Sequence, residues 1–331
     1  MSRYFDNKEL FVGPTTKQYG SHMVTTNVIK ETKIKYINID SRFRDEYNYS
    51  NLANYYFTLP ERINDVKTMT VCNIELPLSI FNISADLGNN FFSVYKTSSA
   101  IDVSMIDISY GFYTLNSFYS ENPLKTTINS AIANKGISNL VVDFSNNYTC
   151  NSCPSVNSII RTYNGFYAQF KNTSVSTPIT LDFAVTSSGT FDKYNLKSKL
   201  GWALGFHEPT YTIPPGGTIY SDSFVNLNIP RYVYLVVDEF SKGNQSSFIS
   251  PLPSSLVNKN ILARISLDYQ KYDFGDILIG NPFNGVLVTD TRSYTGKTDL
   301  QKLNVQIVNE WGIPVNLNGL DYSFTIAIEC E

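Results

Sequence analysis

Charge is the first thing this sequence is short of. Of its 331 residues, 17% are Asp, Glu, Lys or Arg, against about 25% in an average soluble chain. The 26 basic and 29 acidic side chains nearly cancel, for a net charge of -3 and a pI of about 5.5. Phosphate contacts need a surplus of Lys and Arg, so a strongly basic nucleic-acid binder is excluded. Histidine is scarcer still: His22 and His207 are the only two, which leaves a catalytic triad few bases to draw on. Long apolar runs are missing too. No stretch of about 18 apolar residues is present to span a bilayer, and Met1–Asn7 lacks the apolar core expected of a secretory signal.

Cysteine is limited to Cys72, Cys150, Cys153 and Cys330. That density is too low for a disulfide scaffold, and the chain is long enough to bury a core without one. Cys150 and Cys153 have the spacing of half a zinc site or a redox pair, but no second such pair accompanies them. They read as part of a surface loop, and the free thiols fit assembly in a reducing cytosol.

What the sequence has is aromatic residues, 23 Tyr and 21 Phe, placed mostly on segments with the period of β-strands. Residues 1–30 carry no sustained period and read as an extended arm. From Lys33 to Asp40 polar and apolar side chains alternate, as in a half-buried strand. Tyr55–Pro60 and Val66–Leu76 follow as two further strands, each stopped by proline.

The middle of the chain mixes elements. Phe91–Tyr95, Met105–Ile108, Leu140–Phe144, Gly165–Phe170 and Ile179–Phe183 read as strands. Leu115, Phe118, Leu124, Ile128, Ala131 and Ile132 recur at helical spacing, with Pro123 suited to a first turn and Gly136 ending the run. A short helix is expected over 195–204, ended by Gly205. The last third returns to strands at Ser223–Leu227, Tyr232–Asp238, Ile261–Leu267, Leu303–Val308 and Asp321–Glu329. A turn at Asn309–Gly312 gives Gly312 a positive φ. The last strand should bury Tyr322, Phe324, Ile326 and Ile328. No repeat of 20 to 50 residues is present, which argues against a solenoid or propeller.

At about 150 residues per domain the length suggests two units. The pattern assigns 1–30 to the arm, 31–80 plus 223–331 to a β-sandwich core, and 81–222 to an inserted α+β subdomain. The fold class is mainly β: a jelly-roll-like antiparallel sandwich.

Motifs for chemistry are decoys. Gly296-Lys297-Thr298 resembles the end of a phosphate-binding loop, but Thr291 stands where the first glycine belongs. His207-Glu208 begins like a zinc-protease motif, yet Pro209 breaks the helix and Tyr211 replaces the second ligand. No nucleophile elbow or dinucleotide glycine motif is present. Carboxylate pairs remain: Asp238-Glu239, whose side chains should point to opposite faces of a strand, and Asp40, Asp45 and Glu46, interleaved with Arg42 and Arg44 so that internal salt bridging accounts for them. The tyrosines offer a sugar-stacking platform, weighed against core and interface roles. Sequons at Asn48, Asn82, Asn147, Asn172 and Asn244 are what an Asn-, Ser- and Thr-rich chain produces by chance. No catalytic, cofactor-binding or metal-binding residue is assigned.

Two segments carry a family resemblance. One runs Ile39-Asp40-Ser41-Arg42-Phe43-Arg44-Asp45, then Asn54–Pro60, Ile63–Val66 and Ile74–Pro77. The other is the tail, from Leu303–Ile307 through Asn309–Gly312 and Pro314–Gly319 to Asp321–Thr325. Together they resemble minor capsid and other virion structural proteins of nucleocytoplasmic large DNA viruses, the giant viruses. Gly111-Phe112-Tyr113 and Leu200–Phe206 are similar to the middle of such proteins. The resemblance implies a jelly-roll sandwich without an active site, located in the virion capsid and assembled in the host cytoplasm. It also implies partners: the major capsid protein, other minor capsid proteins and further copies of the chain, with neither nucleic acid nor a membrane span. A penton at the five-fold vertices is a close variant. The alternative is a surface attachment or lectin-like glycan-binding β-sandwich.

Overall fold

The computed structural model describes residues 11–12, 27–28, 31–48, 51–95, 103–115, 123–145, 166–240, 244–245, 249–252, 256–257, 260–269 and 271–331. Of the expected arm, Phe11–Val12 (β1) and Asn27–Val28 (β2) fall among them and pair antiparallel. The remainder of 1–30 lies outside the described residues.

β3 spans Lys33–Asp40, but its apolar alternation changes phase after Tyr36: Ile37 and Ile39 face the core, whereas Ile34 and Tyr36 are exposed on the other side. The next two expected strands are one: β4 runs unbroken from Asn54 to Pro77. The correction turns on Pro60, which was expected to stop a strand because it cannot donate to a ladder. Thr58 faces Lys302 and Ile63 faces Leu300, so the residues around Pro60 bulge out where few ladder bonds are required of them.

The next stretch builds a second unit. Phe91–Tyr95 (β5) pairs with Val103–Asp107 (β6). The helix α1 covers Pro123–Asn134 and buries Leu124, Ile128 and Ile132. It starts later than the apolar spacing suggested: Leu115 lies on irregular backbone and Phe118 outside the described residues. Pro123, with no N–H to donate, takes the first turn. Leu140–Ser145 (β7) and Tyr167–Asn172 (β8) pair, and Ile179–Asp182 (β9) joins β5. The expected helix at 195–204 is a 3₁₀ segment, Lys193–Ser198, followed by the single turn α2, Leu200–Ala203. Gly205 then sits at φ +87°, where a Cβ would lie 2.2 Å from the Ser223 carbonyl oxygen. Thr210–Ile213 (β10) pairs with β9 and Thr218–Tyr220 (β11) with β8.

Ser223–Leu227, expected as a strand, is irregular. Its N–H groups go to separate segments rather than to one neighbouring strand: Ser223 to Gly205 O, Val225 to Phe166 O, Asn226 to Ala203 O. Its alternating apolar residues serve as a strap over the second core.

From Tyr232 the chain returns to the first sheet through Tyr232–Asp238 (β12), Asn244–Gln245 (β13), Ser250–Pro251 (β14), Leu256–Val257 (β15), Ile261–Ser266 (β16), Ile277–Gly280 (β17), Leu287–Thr289 (β18), Arg292–Asn309 (β19) and Ser323–Cys330 (β20). Gly312 has the positive φ expected of it, +77°. β20 buries Phe324, Ile326 and Ile328, with Tyr322 just before it, the face read from sequence.

The main sheet has the order β18-β16-β12-β19-β4-β20-β3, with β17 on β4 and β13 on β19. The first part of β4 pairs with β19 alone, its later part with β20 and β17 as well. The bulges between these stretches bend it. The sheet therefore curls: β16 and β18 touch β4 although two and three strands separate them from it. The result is a mainly β, jelly-roll-like antiparallel sandwich around one apolar cluster, drawn from Ile39–Ile80 and Val233–Cys330. A second cluster draws on residues 83–229.

Candidate functional site

Side chains of directly opposed residues in an antiparallel ladder share a face. The pairs Ile34–Glu329–Thr68, Tyr36–Ala327–Thr70, Asn38–Thr325–Asn73 and Ser323–Glu75–Ile279 therefore line up across β3, β20, β4 and β17, on the side away from the first core. This outer face holds hydroxyls and amides with few charges: Asp40, opposite Ser323 in the last row and gripped by Arg42, and the carboxylates of Glu75 and Glu329. The two glutamates are engaged, Glu75 by Ser323 (3.2 Å) and Glu329 by Thr32 (2.7 Å) and Thr68 (3.2 Å). Apolar side chains stand exposed at its edges, Ile34 and Tyr36 on β3, Ile277 and Ile279 on β17. Beyond β17, Phe283 projects 98% exposed. Its loop is fixed, because Asn281 Oδ1 accepts from Phe283 N (2.9 Å) and Asn284 Nδ2 donates to Ile279 O (2.7 Å).

At one end of β3 the interleaved charges satisfy each other. Arg42 grips Asp40 through Nε (3.0 Å to both oxygens) and Nη2, and this hydrogen bonding holds the Asp40 carboxyl below the usual carboxylate range. Arg44, 8% exposed, donates to Asp321 Oδ1 (3.1 Å) and Ser41 O (2.7 Å). Asp45 accepts from Thr58 N and Oγ1. Internal salt bridging, read from sequence, describes Asp40 and Arg42 well. The tie from Arg44 to Asp321, near β20, is a tertiary one that local spacing does not reveal.

His207 and Ser223 do meet, with Nε2 3.1 Å from Oγ. The neighbouring acid does not complete a triad. Asp222 Oδ2 accepts from the His207 backbone N–H (2.9 Å) and from the Tyr211 hydroxyl, and no carboxylate among the described residues pairs with the ring. Burial, then the bond to Asp222, pushes the Tyr211 phenol up to about 12. Asp238 and Glu239 diverge: Asp238 accepts from Phe240 N, whereas Glu239 is buried against Arg292 at 2.6 Å. Among the described residues no group of three or more His, Cys, Asp or Glu is placed to hold a metal. His22, Cys150, Cys153 and Asn147 lie outside the described residues. Gly296 of the phosphate-loop decoy falls within β19, at φ +109°.

Two sequons are core residues. Asn82 donates to Tyr113 O (2.7 Å) and Leu227 O (2.9 Å) and accepts from Tyr113 N (2.8 Å). Asn172 donates to Thr177 O and Ile213 O and accepts from Ser174 N. Both are 0% exposed, so neither amide is open to a glycan.

A cleft of about 1000 Å³ opens beside the strap, lined among others by Trp202, His207, Ser223, Glu310 and Trp311. Sequence reasoning missed it, since Trp202 and Trp311 belong to distant segments and no spacing links them. No membrane-spanning helix is present among the described residues, none being long and apolar enough.

These features define a class by architecture: a curled, jelly-roll-like β-sandwich whose broad outer face is polar with few charges. Against solved structures the chain is similar to the mavirus penton protein, at 11% identity over 91% of this chain and 100% of that one, with a TM-score of 0.45. It is also similar to a chain of the Sputnik virophage particle, at 14% identity over 90% and 98%, with a TM-score of 0.38. Neither likeness is close enough to transfer a role. No family model matches the chain. No curated protein matches it either.

Proposed function

We propose that this protein is a non-enzymatic structural component of a virion shell, a minor capsid protein that contacts and stabilises the major capsid lattice. The observation that carries the reading is the outer face of β17, β4, β20 and β3. Three strands of some eight residues and the four residues of β17, at about 4.8 Å spacing and about 3.4 Å rise, present roughly 450 Å², somewhat over half of one partner's share in a standard interface. A hydroxyl and amide field whose few carboxylates, Asp40, Glu75 and Glu329, are already hydrogen-bonded limits like-charge repulsion and the desolvation of ions. Rim apolar groups such as Tyr36, Ile277 and Phe283 supply contact area.

The resemblance of Ile39–Asp45 and of the tail to giant-virus capsid components supports the same reading, with the major capsid protein, other minor capsid proteins or further copies of this chain as partners. The division into a sandwich (31–80 plus 223–331) and an insertion (81–222) belongs to this proposal and is supported by the two separate apolar clusters. A penton at five-fold vertices is the close variant, and assembly in the host cytoplasm is part of the reading. The test is mass spectrometry of purified particles, with copy number measured against the major capsid protein. A fixed substoichiometric ratio supports the proposal; absence from particles overturns it. Native mass spectrometry of the isolated chain selects the penton form if it returns a pentamer.

A further inference from the structure

The chain has two tryptophans, and both line the same cleft, half-buried, between the start of β12 and the end of β19 on one side and α2 with the strap on the other. Its volume of about 1000 Å³ is at the top of the range of small-molecule sites, roughly 300–1,000 Å³.

The walls are set in advance. Trp311 follows a turn fixed by Asn309 Oδ1, which accepts from Trp311 N (2.9 Å) and Ile313 N (3.0 Å). Trp202 lies on α2 with the His207 ring 4.4 Å away. The His207 main chain is held by Asp222 and Tyr211, and its Nε2 meets Ser223 Oγ. Glu310 Oε2, by contrast, is buried and has no hydrogen-bond partner among the described residues. A buried acceptor without a donor calls for one from outside.

The lining discriminates among ligand classes. An extended peptide would need a free strand edge of useful length: β12 is paired on both sides, to β16 and β19, and β14, paired to β15, is two residues long with Pro251 unable to donate. A phosphate ligand would need a buried cation in waiting. Lys199 is buried here but taken by Asp192 at 3.0 Å, the other cations of the lining, Lys197 and Arg231, are exposed at its rim, and Glu310 would repel the anion. A sugar matches: its hydroxyls donate to Glu310 and exchange hydrogen bonds with His207, Ser223 and Asn226, while its C–H face lies on an indole ring.

We propose that this cleft binds a short neutral oligosaccharide, stacked on Trp202 and Trp311 and donating a hydroxyl to Glu310. The proposal is independent of the virion role. It places the glycan-recognition alternative on tryptophans rather than on the tyrosines that the composition suggested.

Because both tryptophans are in the cleft, intrinsic tryptophan emission of the full chain reads this site alone. The chain is titrated with maltotriose, cellotriose, chitotriose and lactose, with ATP and an uncharged hexapeptide as comparators. The expected result is a saturable change in emission with at least one neutral oligosaccharide. Affinity should fall roughly tenfold or more in Glu310→Leu, and a Trp202→Ala variant should lose binding as well, both with unchanged far-ultraviolet circular dichroism. Isothermal calorimetry on the Tyr36→Ala variant should return the unaltered affinity. No response to any of the four sugars, a response confined to ATP or peptide, or undiminished binding in Glu310→Leu each overturns the proposal.

Discussion

Arg292 and Glu239 meet at 2.6 Å with their side chains 2% and 0% exposed, a salt bridge sealed inside the sandwich. Arg292 also donates to Val237 O (2.7 Å) and Asn260 O (2.8 Å), joining β19 to the end of β12 and the approach to β16. Removing one partner strands the other charge away from water, whereas replacing both with apolar residues removes the desolvation penalty altogether. Glu239→Ala or Arg292→Ala should each lower stability by about 3–5 kcal/mol, while Arg292→Met with Glu239→Leu should recover most of the loss. Urea unfolding of the four proteins checks this, and additive losses in the double variant would show the pair to be uncoupled.

Glu310 predicts a pH dependence. Burial raises its pKa above the ordinary carboxylate value, only partly offset by its own backbone N–H and by Arg231. The folded state therefore holds this proton more tightly than the unfolded one. The resulting stabilisation is fully present below the unfolded value near 4.5 and is lost as pH rises through the elevated folded value. Glu310→Gln should be more stable than the parent at pH 7, with the gap closing as pH falls toward 4. Thermal unfolding across that range is the measurement, and an equal gap at both ends would contradict it.

Asn82 and Asn172 each satisfy three main-chain groups from a fully buried position. Asn82→Ala and Asn172→Ala should each cost at least about 2 kcal/mol by leaving those groups unpaired. Expression through a secretory route should give peptides carrying no glycan at either position by mass spectrometry.

The outer face predicts a separation of stability from assembly. Ile34→Asp and Tyr36→Asp on β3, and Phe283→Ala on its fixed loop, should change stability by no more than about 0.5 kcal/mol. Their incorporation into particles should fall severalfold. Parental incorporation of all three would move the contact surface elsewhere on the molecule.

Local patterns carried much of the architecture. β20 was legible because a strand buried on one face writes its period into the sequence, β12 because burial on both faces makes it an unbroken β-branched and aromatic run, and α1 because Pro123 and Gly136 bracket an apolar stripe. Joining two strands into β4 was not legible: what permits Pro60 inside a strand is a bulge against β19, a partner far along the chain. Ser223–Leu227 failed for the converse reason, since its alternation matches an uneven surface and not a ladder. The candidate sites divide the same way. Arg42 finds Asp40 two residues away, whereas Arg44 with Asp321, Arg292 with Glu239 and Trp202 with Trp311 are products of tertiary folding, invisible to spacing.

β20 lies between β4 and β3, so that Cys330 closes the ladder opposite Lys33. A chain emerging from the ribosome must therefore finish the whole second core before its first two long strands acquire the neighbour that separates them. Until then each presents an open hydrogen-bonding edge. Synthesis halted before residue 323 would release a species with both edges bare, prone to recruit the same strand from another molecule.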